Sequence, residues 1–232
     1  MCDGNRPLGN VQRRDCAPHR LLKTNVSVSR SKALIASIGL SLLFLIVYGG
    51  CLWITSRRHD VGVFYFDWER SIPFVPFMIL PYLSIDLFFV AAPFLFSTER
   101  ELKIFVARVS SAIVVAGIFF LAIPLRFAFP RPRASGWLGA LFDWFRGLDA
   151  PYNLFPSLHA ALLLFLVDAY ARYARGWVRL MVWLWFALIA FSPLLTRHHH
   201  IIDIIGGFAL AAGCMGLFGQ KFALALERRA GR

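Results

Sequence analysis

Apolar residues gather along the chain in six runs, at about 33–55, 74–96, 104–125, 157–171, 177–195 and 201–220, and most charged residues lie between them. A helix needs about 20 residues to cross a bilayer. The fourth run is short before Asp168 and is expected to continue through Tyr170, with Arg172 and Arg175 snorkelling to the interface. The pattern predicts an all-α fold, an integral membrane bundle of six transmembrane helices with both chain ends on one side.

Four segments read differently. Residues 1–32 carry seven Lys or Arg against two Asp, with scattered Pro, Gly, Asn and Ser, which predicts a disordered basic tail. Residues 221–232 form a second basic tail, leaving one membrane domain over 33–220. Val61 to Pro73 mixes Phe64, Tyr65, Phe66 and Trp68 with Asp67, Glu69 and Arg70, a composition suited to the headgroup level. Gly136 to Leu148 places Trp137, Leu138, Leu141, Phe142, Phe145 and Leu148 at helical spacing opposite Asp143 and Arg146, which predicts a short amphipathic helix on the membrane surface.

Composition supports the membrane reading: 58% of the 232 residues are hydrophobic and only 16% are charged, too few for a soluble domain. The net charge of +12 raises a nucleic-acid partner as an alternative, but the basic residues form no stripe with interleaved aromatics. They follow topology instead. The two tails and the loops near 97–108 and 172–179 hold 17 of the 25 Lys and Arg, which predicts cytoplasmic termini. The other loops, and the histidine motifs in them, then face outward. Four cysteines, Cys2, Cys16, Cys51 and Cys214, have no metal or disulfide spacing. Cys51 follows a faint lipoprotein-like box, but the basic stretch before it is too long for a signal peptide, so the first run reads as an uncleaved anchor.

Candidate chemistry sits at two helix starts. In FPSLHAALLL, Pro156 and Ser157 suit a helix start and His159 follows in the first turn. In TRHHHIIDIIGGF, His199 and Asp203 are four residues apart, so a helix puts them on one face, where the carboxylate can orient the ring as a nucleophile or base. Helix N-termini favour an anion. Arg131, in the PRPR run, offers a planar fork for phosphate oxygens, and Arg126, Arg133 and Arg197 can share that task. Such a pocket suits phosphoryl transfer from a phosphorylated lipid.

Arg131-Pro132, then Pro156 to His159, then His199-x-x-x-Asp203 resemble the three signature motifs of the type 2 phosphatidic acid phosphatase (PAP2) superfamily, which includes inositol phosphorylceramide and sphingomyelin synthases. Glu69 to Asp86 is also similar to a bacterial subgroup sometimes fused to a soluble phosphatase domain. The resemblance implies a PAP2-like bundle in which His199 forms a phosphohistidine, Asp203 orients it, and His159 protonates the leaving alkoxide. Ser157 and Arg131 would bind the phosphoryl oxygens without a metal or other cofactor. Two positions depart from the phosphatase pattern: Pro124 stands where a Lys is usual, with Arg126 as the nearby substitute, and Pro193 where an Arg is usual, with Arg197 as the stand-in. The second departure is similar to the sphingolipid-synthase branch. Hydrolysis of the intermediate by water and its transfer to a second lipid or alcohol therefore both stand.

Plainer readings exist for each residue. A lone His159 is a polar group satisfied at a helix start. His198 and His200 face other directions than His199, which predicts interfacial or supporting roles. A metal site on His159, His199 and Asp203 is a rival, although adjacent histidines are not the spacing of a helical metal site. Asp168 has Arg172 four residues away as an ion-pair partner, whereas Asp86 lies in a span with no visible partner. A non-enzymatic lipid or ion carrier would need polar groups through the bundle's depth. The expected setting is a bacterial inner membrane, with the bilayer and a lipid phosphate as partners, no nucleic acid, and an oligomeric state left open.

Overall fold

The structure, a computed structural model, describes residues 27–230, with side chains through Gly219. Seven helices carry the fold: α1 (Arg30–Thr55), α2 (Ile79–Ala91), α3 (Glu99–Ala122), α4 (Gly136–Leu148), α5 (Leu158–Tyr173), α6 (Gly176–Leu195) and α7 (Ile201–Ala230). No β-strand occurs among the described residues, which contain two isolated bridges, Ser27 to Thr98 and Gly62 to Leu125. The protein is an all-helical, multi-pass membrane bundle.

Five helical stretches are long and apolar enough to cross a membrane: Arg30–Thr55, Pro76–Leu95, Glu99–Ala122, Gly176–Leu195 and Ile201–Gly219. The remaining expected span, α5, has 16 residues. It lies inside the bundle, packed against α7, α6, α3 and α2, with Ala161, Phe165 and Leu166 in the core. Outward faces of the other helices carry Ile35, Ile46, Leu87, Ile118 and Trp177, apolar residues that lipid would solvate. Asp168 of α5 meets Arg172 at 2.8 Å, as its spacing predicts, and also Arg108 of α3 at 3.1 Å.

Local chemistry sets the helix ends. The boundary expected at residue 32 moves to Arg30 because the Ser29 side chain caps α1, accepting the Lys32 N–H at 3.3 Å. Residues 1–26 of the expected basic tail lie outside the described residues. Thr98 and Glu101 form a capping box, with Thr98 Oγ1 accepting the Glu101 N–H at 3.3 Å, so α3 starts before the run expected at 104. The second span is broken by its prolines, with 3-10 turns at Pro76–Met78 and Ala92–Leu95 around α2. At the other end, α7 continues through Ala230 past the expected boundary at 220, where QKFALALERRA contains neither Pro nor Gly to stop it.

The amphipathic segment forms α4 with the expected limits. It buries Leu138 and Phe142 against Ile79 and Tyr82, and exposes Trp137, Trp144 and Leu148. It therefore roofs the end of the bundle at which α5 and α7 begin.

Candidate active site

Three consecutive histidines point in three directions because the chain turns sharply after α6. Arg197 adopts the left-handed conformation, φ 59°, which a non-glycine residue enters only when its surroundings hold it there. Its guanidinium does this by donating through Nη2 to the carbonyls of Arg70, at 3.2 Å, and Ile72. His198 then enters the apolar layer beneath α4, His199 faces a cavity, and His200 turns to the 61–73 segment.

The buried partners fix two of the rings. His200 Nε2 accepts the Ala128 N–H at 3.1 Å, so Nδ1 carries the proton and donates to Glu69 Oε2 at 2.7 Å. Both side chains are almost wholly buried, and the ring stacks on Phe127 at 4.5 Å. Glu69 also accepts the Phe66 N–H at 3.0 Å, so its buried carboxylate anchors the 61–73 segment, while Phe64, Phe66 and Trp68 stay exposed. Thr196 Oγ1 donates to the Ser192 carbonyl at 2.6 Å and so accepts from His198 Nδ1 at 2.8 Å. Burial, aided by the positive charge of Arg131, holds His198 well below the usual imidazole range. Supporting roles suit both rings.

His199 and His159 line one cavity of about 200 Å³. His199 Nδ1 lies 3.6 Å from Asp203 Oδ2, close but longer than a hydrogen bond, and neither Nδ1 nor Asp203 Oδ1 has a hydrogen-bond partner among the described residues. Asp203 Oδ2 meanwhile accepts the His200 N–H at 2.8 Å and so caps α7. His159 Nε2 lies 3.3 Å from the Ile189 carbonyl, which can only accept, leaving Nδ1 for other chemistry. Tyr82 of α2 is sandwiched between His159, at 4.5 Å, and His198, at 4.7 Å.

The two helix starts are fastened together. The Ser157 N–H donates to the Asp203 carbonyl at 2.9 Å, and the Ser157 side chain accepts the Ala160 N–H at 3.3 Å as the cap of α5. Gly207 permits the contact: a Cβ there would lie 2.2 Å from the Ser157 carbonyl oxygen.

None of the expected phosphate-binding residues lines the cavity itself, but Arg131 reaches its wall, its Nη1 donating at 3.2 Å to the carbonyl of Asp149. Ser157 is fully buried with its hydroxyl committed to the cap. Arg126 is exposed and does not line the cavity. Arg197 is turned away onto the Arg70 and Ile72 carbonyls, in a small cleft on the other side of His199. The left-handed turn that aims the histidines consumes its side chain.

A sequence model of the PAP2 superfamily matches residues 41–217. The chain belongs to the PAP2 superfamily. That places it among lipid phosphatases and phosphotransferases. It is similar to the inositol phosphorylceramide synthase catalytic subunit of Schizosaccharomyces pombe, with 34% identity over 86 residues. That stretch covers 35% of this chain and 19% of the yeast protein, so the match spans about a fifth of the relative's length. No solved structure gives a significant match.

In this PAP2 protein the cavity also contains residues that motif spacing does not reveal. Asp149, at the C-terminal end of α4, accepts the Tyr48 hydroxyl at 2.6 Å through Oδ1. Burial pushes its carboxyl up, against the opposing pull of the Tyr48 hydrogen bond, Arg131 and His199. Asp86, the intramembrane aspartate without a visible partner in sequence, lines the same cavity, as do Asn153 and Tyr82. An ionisable residue inside a span was the one available sequence signal. Asp149 and Asn153 carried none.

Proposed function

We propose that this protein hydrolyses a lipid-linked phosphate through a covalent histidine intermediate at the end of the bundle where α5 and α7 begin. The observation that carries this reading is that His159 and His199, from two separate helix starts, line one cavity. With Nδ1 turned to Asp203, the free nucleophile on His199 is Nε2. Its lone pair forms an N–P bond while the P–O bond to the lipid breaks. The leaving oxygen takes a proton from Nδ1 of His159, which enters the step as the imidazolium because its Nε2–H rests on the Ile189 carbonyl. In the second half, water gives its proton back to His159, its oxygen bonds to phosphorus, and the N–P bond breaks, restoring both rings. Arg131 and the backbone N–H groups at the start of α5 stabilise the phosphoryl oxygens.

The 3.6 Å gap between His199 and Asp203 is one that substrate would close, since catalytic hydrogen bonds often tighten only when the site is occupied. No step in the scheme requires a metal ion. We assign the site to the extracytoplasmic face of a bacterial inner membrane, with cytoplasmic termini, because Lys and Arg are concentrated in the opposite loops and tails. The same distribution argues against a nucleic-acid partner.

A second reading is transfer of the phosphoryl-bearing group to another lipid or alcohol. It is supported by the similarity to the yeast synthase subunit and by Pro193 at the departing motif position. An alcohol oxygen would replace water in the second half without other change. Purified protein in mixed vesicles with a labelled lipid phosphate tests both readings. Wild type releases phosphate or a transferred product, and acid quenching traps a labelled protein that His199→Ala does not form. His199→Ala and His159→Ala each lower the rate by about 100-fold or more. Turnover at the wild-type rate in either variant defeats the assignment. Activity lost to a chelator and restored by zinc would replace it with a metal mechanism.

A further inference from the structure

The histidine cavity presents more hydrogen-bond acceptors than its catalytic residues need. Asp86 from α2 and Asp149 after α4 both line it. Asp149 accepts from the Tyr48 hydroxyl at 2.6 Å, and Arg131 reaches its backbone carbonyl rather than its carboxylate, so neither aspartate's carboxylate forms an ion pair among the described residues. A second observation is independent of the carboxylates. Asn153, in the same wall, is 1% exposed, and its Nδ2 donates to the Tyr48 carbonyl at 2.9 Å. That bond fixes which end of the amide is which and leaves Oδ1 buried without a partner.

Phosphate alone does not suit this wall, because it is anionic and accepts hydrogen bonds, so the two carboxylates repel it. A neutral polyol would donate hydrogen bonds but would not pair with the Asp149 carboxyl, which burial pushes up toward its neutral form and which a cation would let ionise. A cation answers both needs. The remaining walls are aromatic, with Phe44, Tyr48, Tyr82 and Phe145 lining the same space, and ring faces attract cations. We propose that Asp86, Asp149 and Asn153 form a subsite for an ammonium group carried by the substrate. The substrate class is then an amine-bearing phospholipid with its cation a few bonds from the phosphorus. This rests on the reading that the phosphoryl group occupies the His159 and His199 part of the cavity. The ammonium group lies either in the head group of a phosphodiester or in the lipid backbone of an amino-alcohol phosphate.

Initial rates in vesicles containing the full-length protein separate these sources. Phosphatidylethanolamine is compared with phosphatidylinositol, and a long-chain amino-alcohol phosphate with phosphatidic acid. Wild type favours the amine-bearing member of one pair by about ten-fold or more in kcat/KM, and that pair identifies where the ammonium lies. Asp86→Asn and Asp149→Asn, which keep side-chain size, collapse the ratio. Equal use of both members in both pairs overturns the subsite, and so does a ratio that survives both substitutions. A binding measurement needs no turnover: phosphoethanolamine raises the melting temperature of His199→Ala protein more than glycerol phosphate does, and adding Asp86→Asn removes the difference. If no lipid is turned over, the catalytic reading fails while this measurement still decides the subsite. Equal shifts from the two compounds overturn it.

Discussion

The backbone N–H of Ser157 donates to the carbonyl of Asp203 at 2.9 Å, joining the start of α5 to the first turn of α7. One bond thus sets the spacing of the two helices that carry His159 and His199. It is possible only because the facing position on α7 has no side chain.

Gly207→Ala tests how far activity depends on that spacing. The new Cβ would lie 2.2 Å from the Ser157 carbonyl oxygen and 2.9 Å from Ala160 Cβ, so the helices must separate. Overpacking of this kind costs about 1–3 kcal/mol. The expected result is a lower melting temperature in detergent together with a kcat loss of about 100-fold, as for a misplaced catalytic group. Wild-type kcat in a folded Gly207→Ala protein would show that the helix spacing is not catalytically important.

Glu69 and His200 provide the matching anchor on the other side of the histidine run. Glu69→Ala leaves the buried His200 Nδ1–H and the Phe66 N–H without their acceptor. A stranded buried donor costs about 1–3 kcal/mol. Glu69→Gln keeps an acceptor oxygen for one of these donors and should cost less. Denaturation of the three proteins in the same detergent gives the order wild type, Gln, Ala. A Gln variant as unstable as the Ala variant would mean that the negative charge, rather than the hydrogen bonding, is what matters.

Arg131 and Arg197 are expected to separate by phenotype. Arg131 borders the cavity through Asp149, and its removal should raise KM or lower kcat for a lipid phosphate by about ten-fold or more. Arg197 closes the turn onto the Arg70 and Ile72 carbonyls, so Arg197→Ala should lower the melting temperature, with a smaller effect on KM at a temperature where the protein remains folded. Kinetics and melts on both variants check this. The reverse pattern would restore Arg197 as the phosphate-binding stand-in suggested by its place in the motif.

The fold was largely legible because its signals are local. Apolar runs mark spans, and the period of Gly136 to Leu148 gives α4 with its limits. The His199 to Asp203 spacing places the two side chains near each other within one helix. What escaped was the pairing of distant loops. Tyr48 and Asp149 are 101 positions apart, and Glu69 and His200 are 131 apart, so no periodicity links them. Arg197 illustrates a further limit: proximity to His199 in sequence suggested a shared phosphate pocket, but a left-handed backbone at that residue turns its guanidinium onto the Arg70 and Ile72 carbonyls, away from the cavity that His199 shares with His159. Side-chain direction depends on a turn that the composition of TRHHH does not specify.

His198 gives the pH prediction. Its burial beneath α4 against Tyr82 disfavours the imidazolium, so the folded protein keeps it neutral to lower pH than the unfolded chain does. In the unfolded chain the ring takes a proton as pH falls below about 6.5. There the unfolded state binds more protons, and stability falls with decreasing pH by at most about 1.4 kcal/mol per pH unit from this residue. Above about 6.5 both states are neutral and the contribution is constant. His198→Phe preserves a flat ring beside Tyr82 while removing the titration. Melts in detergent at pH 7.5 and pH 5.5 should show a larger acid-side loss for wild type than for the variant, about 1 kcal/mol apart. If the two proteins lose the same stability over that interval, His198 is protonated equally in the folded and unfolded states and its burial does not control the acid response.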